Sequence, residues 1–285
     1  MSFFERIIHI LQFEMDRPRI YGWFHLICLG LAGLTLAFLM IRKDRDQERT
    51  LKTILLVYGI GALFLEILKQ VIWSYHYDPT TQTGWWDYQW YAFPFQLCTT
   101  PIFVALTCAF LKKGMLRNDL LSFMAFVTIL GSIATAFYPE SCLVKTVMVD
   151  IHTMYLHLGS MVVSLYLLFS GEVKIRFSNL LKGYGVFFLF AVAAEILNVI
   201  IYHSGVLKGE TFNMFYISPY FSSDLPVFDT IQRNVPFPVF LVIHLITIFV
   251  CAFIIYLLAK LIERSGLRRY VDRSCSKGTA DSARR

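Results

Sequence analysis

Seven apolar runs, each close to the ~20 residues needed to cross a bilayer, organise the sequence at about 20–41, 52–75, 92–111, 119–138, 149–169, 183–203 and 236–261. Polar, turn-forming stretches separate them. Ahead of the first run, Phe3, Phe4, Ile7, Ile8, Leu11 and Met15 share one helical stripe, with Glu5, Arg6 and Gln12 elsewhere. That spacing predicts a short amphipathic helix lying along the membrane interface. The expected fold is all-α and polytopic, with seven transmembrane helices. Residues 1–19 form the interfacial segment, 20–262 the membrane domain, and 263–285 a basic cytoplasmic tail without regular structure.

Composition agrees with the runs. The chain is 56% hydrophobic and 16% charged, with a mean hydropathy of +0.58, against about 25% charged residues in soluble domains. The net charge of +6 does not point to nucleic acid, because the basic residues sit in short loops between apolar runs. Arg42, Lys43, Arg45, Arg49 and Lys52 follow the first run, Lys112, Lys113 and Arg117 the third, Lys174, Arg176 and Lys182 the fifth. The tail carries Arg264, Arg268, Arg269, Arg273, Lys277, Arg284 and Arg285, whereas the alternate loops hold only Arg6, Arg17, Arg19, Lys145, Lys208 and Arg233. The positive-inside rule then predicts an external N-terminus and a cytoplasmic C-terminus in a multi-pass cell-membrane protein. Acidic Glu5, Glu14 and Asp16 precede the first run, so no cleavable signal peptide is expected. Six cysteines include no Cys-x-x-Cys pair, and neither a disulfide framework, a metal nor a cofactor is expected.

Polar residues inside the runs carry the candidate chemistry. At 1.5 Å per helical residue, Cys98, His157, Glu66, Glu195, His244 and His25 all fall about 8–13 Å below the outer surface, with His152 at about 4 Å. Lys69, Gln70 and Asn198 are shallower than their neighbours Glu66 and Glu195. Glu66, Lys69, Gln70 and Trp73 lie on one stripe of the second run, as do Glu195, Asn198 and Tyr202 on the sixth and Thr153, His157, Ser160 and Ser164 on the fifth. Charged groups in lipid face the bundle interior and pair with one another. One reading is a buried polar network that fixes helix packing, Glu66 neutralising Lys69. The other is a functional pocket, favoured by the gathering of so many groups at one depth.

A thiol and an imidazole at matching depth are the parts of a nucleophilic pair, in which a base or nearby cation makes the thiolate available. Cys98 with His157 fits. A glutamate would orient the imidazole, and Gln96 or Asn198 would donate to an oxyanion. Cys28, Cys108 and Cys251 read as apolar fillers. Pro94 and Pro101 each remove a helical donor beside Cys98. Outside the runs, the loop Tyr75–Tyr91 carries Trp85, Trp86 and Trp90, an interfacial belt. The loop 204–235, rich in aromatic residues, is expected to pack over the helix ends as a lid.

Three segments together resemble the YwaF-like integral membrane family: Phe93-Pro94-Phe95-Gln96-Leu97-Cys98, His152-Thr153-Met154-Tyr155-Leu156-His157, and Phe212-Asn213-Met214-Phe215-Tyr216-Ile217-Ser218-Pro219. The resemblance spans about residues 20–262. It implies a bacterial seven-span protein with Asn213 at the pocket, distantly similar to a eukaryotic transmembrane acyltransferase that remodels ether phospholipids through a cysteine. On that basis Cys98 would take part in acyl transfer with His157 as base. The family's usual motif has His where this chain has Gln96, which leaves the role of base to His157 or His152. The expected partners are membrane lipids, with anionic lipid at the tail. Two alternatives stand beside the enzyme: an ion-coupled carrier using Glu66, Lys69, Glu195 and the histidines, and a membrane interaction protein using the external loops.

Overall fold

The computed structural model describes residues 3–42, 46–139 and 142–265. In order they form α1 (Phe3–Leu11), α2 (Trp23–Ile41), α3 (Gln47–Ser74), strands β1 (Tyr75–Asp78) and β2 (Thr83–Trp86), a 3-10 turn (Trp90–Ala92), α4 (Thr100–Phe110) and α5 (Met115–Phe123). A π-helical turn (Met124–Thr128) joins α5 to α6 (Ile129–Phe137), followed by α7 (Val147–Ser170), α8 (Phe177–His203), a second 3-10 turn (Met214–Tyr216), α9 (Pro226–Asn234) and α10 (Phe237–Arg264). The basic tail beyond residue 265, and Lys43 and Arg45, lie outside the described residues.

Among the described residues six helical stretches are long and apolar enough to cross a membrane: Trp23–Ile41, Gln47–Ser74, Met115–Phe137, Val147–Ser170, Phe177–His203 and Phe237–Arg264. Their burial is inverted relative to a soluble bundle. On α3 the apolar Val57, Ile60, Phe64 and Ile67 are exposed, while Tyr58, Glu66 and Lys69 are buried. A helix surrounded by hydrocarbon places its groups in this way, because charge is costly in lipid and an apolar side chain is not. Between the helices, Phe123, Phe126, Phe187, Leu51, Leu55 and Ile102 fill the core. Helix α8 approaches α5 at Gly183, where a Cβ would lie 2.6–2.7 Å from backbone atoms of Ser122 and Phe123.

The third run is the exception. Its helix is α4, only 11 residues long, and residues 93–99, expected to be helical, are not. Pro94 has no N–H and disfavours the α conformation of Phe93 before it. The local polar groups then close a turn among themselves: the Gln96 N–H donates to Thr99 Oγ1 at 2.8 Å, the Thr99 hydroxyl returns to the Gln96 carbonyl at 3.0 Å, and the Thr100 hydroxyl donates to the Leu97 carbonyl at 2.8 Å. Pro101 sits in the first turn of α4, where no donor is needed. The depth assigned to Cys98 by counting helical residues from Tyr91 therefore does not apply. Both ends of the irregular stretch and its helix are nonetheless fixed to α3. Lys69 Nζ and Gln70 Nε2 donate to the Ala92 carbonyl at 3.2 and 2.6 Å. At the other end, Lys113 and Arg117 reach Glu48 at 3.2 and 2.7 Å. Residues 92–113 thus run beside α3 between Gln70 and Glu48, about 33 Å of helix at 1.5 Å per residue.

Helix α1 forms as the pattern predicts, but only Ile8 of its stripe is buried; Phe3, Phe4 and Ile7 face outward with Ile10. Gln12 Nε2 ties the helix down by donating to the carbonyls of Ile72 and Tyr75 at 2.8 and 2.6 Å. The stretch read as a loop from Tyr75 is a β-hairpin, Tyr75 pairing with Trp86 and Asp78 with Thr83.

Candidate functional site

Glu66, Lys69 and Gln70 share one face of α3, as their spacing requires, and that face meets α7. Glu66 Oε1 receives Lys69 Nζ at 2.6 Å and Gln70 Nε2 at 2.8 Å; Glu66 Oε2 lies 2.7 Å from His152 Nε2. Glu66, Lys69 and His152 are 2%, 7% and 4% exposed. One charged carboxylate is therefore balanced by one ammonium within a nearly dry site, with an imidazole on its second oxygen. Among the described residues His152 Nδ1, like His244 Nδ1, is buried with no hydrogen-bond partner. The bland expectation of a Glu66–Lys69 pair is met, and the imidazole that a glutamate orients is His152.

Cys98 is partly buried on the irregular segment before α4. It lies within electrostatic reach of Lys69, Glu66 and Cys142, and also of Tyr58 and Tyr216. No hydrogen bond joins it to His152 or His157. The ring of His157, also partly buried, meets the backbone of Gly131 on α6.

The remaining polar residues form a second constellation. Gln96 Nε2 donates to the Asn213 carbonyl at 2.8 Å, and the Phe215 N–H donates to Gln96 Oε1 at 2.7 Å. Asn198 grips Met214 in the same two-handed way, Nδ2 to the carbonyl at 3.1 Å and Oδ1 from the N–H at 2.7 Å. Asn213 donates to the carbonyls of Phe221 and Ser222 and accepts from the Ser218 N–H. Gln232 on α9 completes the set, donating to Ser218 and Phe221 and accepting from the Ser223 N–H. Four amides thus pin the segment 213–223 over the bundle, with Phe212, Met214, Phe215 and Ile217 buried beneath it. Gln96 and Asn198 are thus engaged by the backbone of the lid at Asn213, Met214 and Phe215.

The single layer of ionisable groups also divides. Glu195 joins only Asn198, at 3.5 Å. His244 is 3% exposed against the rings of Phe228 and Phe240. His25 is held by the Ala136 carbonyl at 3.1 Å and by the Tyr21 N–H, a structural role at the junction of α2 and α6. Two participants escape the reading of the sequence. The Ala92 carbonyl is backbone, and its availability follows from the helix failing to start before Thr100. Gln232 lies on α9, within the stretch expected as loop, where Pro226 in the first turn and the helical spacing of Val227, Phe228 and Ile231 were the available signal. Among the described residues no group of three or more His, Cys, Asp or Glu side chains suits a metal ion.

No curated protein and no solved structure matches the chain significantly. The model of one membrane-protein family does match, from residue 20 to residue 258, which takes in every helix from α2 to most of α10 and both polar constellations. The chain belongs to the TMEM164 family.

Proposed function

We propose that the chain crosses the membrane seven times with its N-terminus outside, and that the pocket around Glu66, His152 and Cys98 transfers acyl groups between membrane lipids. The irregular stretch 93–99 with α4 serves as the third crossing, supported by its attachment to α3 at Gln70 and at Glu48. The orientation follows from the basic loops, and the cell membrane of a bacterium is the setting that the YwaF-like resemblance implies.

The observation that carries the reading is the 2.7 Å contact of Glu66 Oε2 with His152 Nε2, which leaves Nδ1 without a partner. An ionised Glu66 holds the proton on Nε2, so Nδ1 carries the lone pair. Nδ1 is then the base, Glu66 its positioning residue, and Cys98 the nucleophile. As the thiol attacks the ester carbonyl of a phospholipid, its proton passes to Nδ1. Lys69 lies within electrostatic reach of the Cys98 thiol, where an ammonium would stand beside the sulfur as its proton leaves. Collapse of the tetrahedral intermediate breaks the ester C–O bond, and the imidazolium returns the proton to the leaving lysolipid alkoxide. A second lysolipid hydroxyl, deprotonated by His152, attacks the thioester and restores the thiol. Hydrogen bonds in ligand-free sites often tighten only with substrate, and here Cys98 must approach His152.

A lipidomic comparison of cells carrying native protein, Cys98→Ser or His152→Asn tests this at matched expression. Both variants are expected to lose the acyl redistribution that native protein produces. Indistinguishable profiles overturn the reading, and proton-coupled solute flux abolished by Glu66→Gln would replace it with a carrier.

A further inference from the structure

Far from Cys98, the opposite end of the bundle holds a cavity of about 430 Å³ lined by Gly171, Lys174, Ile175, Arg176, Lys260 and Glu263. It lies between the end of α7, the start of α8 and the last turns of α10. The same end holds Glu48, Lys113 and Arg117, since Glu172 beside the cavity is within electrostatic reach of all three. Three cations and one carboxylate, Glu263, line it and Glu172 stands beside it, which leaves a surplus of one positive charge. Lys174, Arg176 and Lys260 form no ion pair among the described residues.

The connecting turn sets two of these cations in place. Helix α7 ends at Gly171 with φ 81°, a left-handed position that glycine adopts without strain. The Val173 N–H then donates back to the Leu167 carbonyl at 3.0 Å, and Asn179 Nδ2 holds the Lys174 carbonyl at 2.9 Å. Val173 and Ile175 are buried while Lys174 and Arg176 are exposed, so the alternation of an extended chain turns both cations to the same side. Lys260 comes from α10, its ammonium 5.6 Å from the Tyr256 ring centroid. A gap between helix ends lined by fixed cations suits the phosphate of a lipid headgroup.

We propose that this cavity binds the phosphate of an anionic phospholipid, gripped by Lys174, Arg176 and Lys260 where the helices leave the membrane. The site is independent of the acyl-transfer reading. A headgroup is favoured over free phosphate because the cavity opens at the ends of membrane helices, where lipid phosphates are concentrated.

Full-length protein in detergent micelles, incubated with phosphatidylglycerol, phosphatidylcholine or inorganic phosphate, tests this by native mass spectrometry of retained ligand. Phosphatidylglycerol is expected to be retained about tenfold over phosphatidylcholine, a preference lost in the triple variant K174Q/R176Q/K260Q. The basic residues from Arg268 onward are present in both proteins, so their contribution cancels. An unchanged preference in the triple variant overturns the site, and so does displacement of the lipid by millimolar phosphate. Should the triple variant not fold, Lys174→Gln alone is expected to lower the preference about threefold with an unchanged unfolding temperature, and no change there is equally decisive against it.

Discussion

The two polar constellations differ in how completely they satisfy themselves. In the amide set, Gln96, Asn198, Asn213 and Gln232 each both donate to and accept from the backbone of the lid. In the charged set, Glu66 has three partners, yet His152 ends in a buried nitrogen with none. Buried polar groups are ordinarily paired, and an orphan is costly. On the proposed reading, the contrast separates a scaffold from a place that a reactant would complete. Depth along the helices does not distinguish the two sets, which are both polar and neighbouring; only their bonding tells them apart.

The sharpest way to break this contrast is kinetic. If His152 is the base, His152→Asn lowers acyl exchange by about 10²–10⁴-fold, whereas His157→Asn stays within about tenfold of native; the reverse order in a reconstituted acyl-exchange assay would return the role to His157. Stability gives the next largest effect. Glu66→Ala leaves buried Lys69 with the Ala92 carbonyl and the Trp73 ring but no counter-charge, at a cost of about 3–5 kcal/mol, read as the loss of unfolding temperature in detergent. A loss below about 1 kcal/mol would mean that the charges are solvated. On the amide side, Asn198→Ala strips both partners from the Met214 backbone and costs about 2–3 kcal/mol. Hydrogen exchange at Met214 should accelerate while that of α3 does not. If both accelerate together, the two constellations are one cooperative unit.

The exposed carboxylate Asp78 supplies the smallest and most graded comparison with buried Glu66. The Thr80 N–H and Thr81 hydroxyl donate to it at 2.8 and 2.9 Å, and these bonds, the backbone one first, hold its carboxyl below the usual range. A depressed folded-state pKa contributes stability that is present above the unfolded value, about 3.9, and is lost as pH falls through the folded value. The hairpin should therefore loosen in acid below about pH 4, reported by Trp85 and Trp86 fluorescence, and Asp78→Asn should remove that dependence.

Much of this was legible from residue spacing. Run length alone located the six long helices, because hydrocarbon thickness fixes how many apolar residues a crossing needs. The Glu66, Lys69, Gln70 stripe followed from the helical period. Residues 93–99 misled because Phe93, Phe95, Leu97 and Cys98 are apolar in any conformation, so hydropathy does not distinguish helix from turn there. Pro94 and Pro101 were the available signal, Pro94 lying within the non-helical stretch and Pro101 in the first turn of α4. The choice between His152 and His157 was not legible: they are five residues apart on one helix, and only its rotation against α3 decides which meets Glu66.

Within the lid, Phe215 and Tyr216 both adopt left-handed backbone conformations, with φ of 58° and 59°. Neither is glycine, and each such position costs a side-chain-bearing residue about 1–2 kcal/mol. Phe215 recovers part of this through its rings, 5.8 Å from Phe95 and 6.0 Å from Phe187; Tyr216 is less deeply set. The covering segment is held by Gln96 and Asn198 at Asn213, Met214 and Phe215, just before and at the first of the two strained residues. Lifting it would release that strain but would also break these bonds and expose Phe212, Met214, Phe215 and Ile217, so the chain keeps its cover closed at rest.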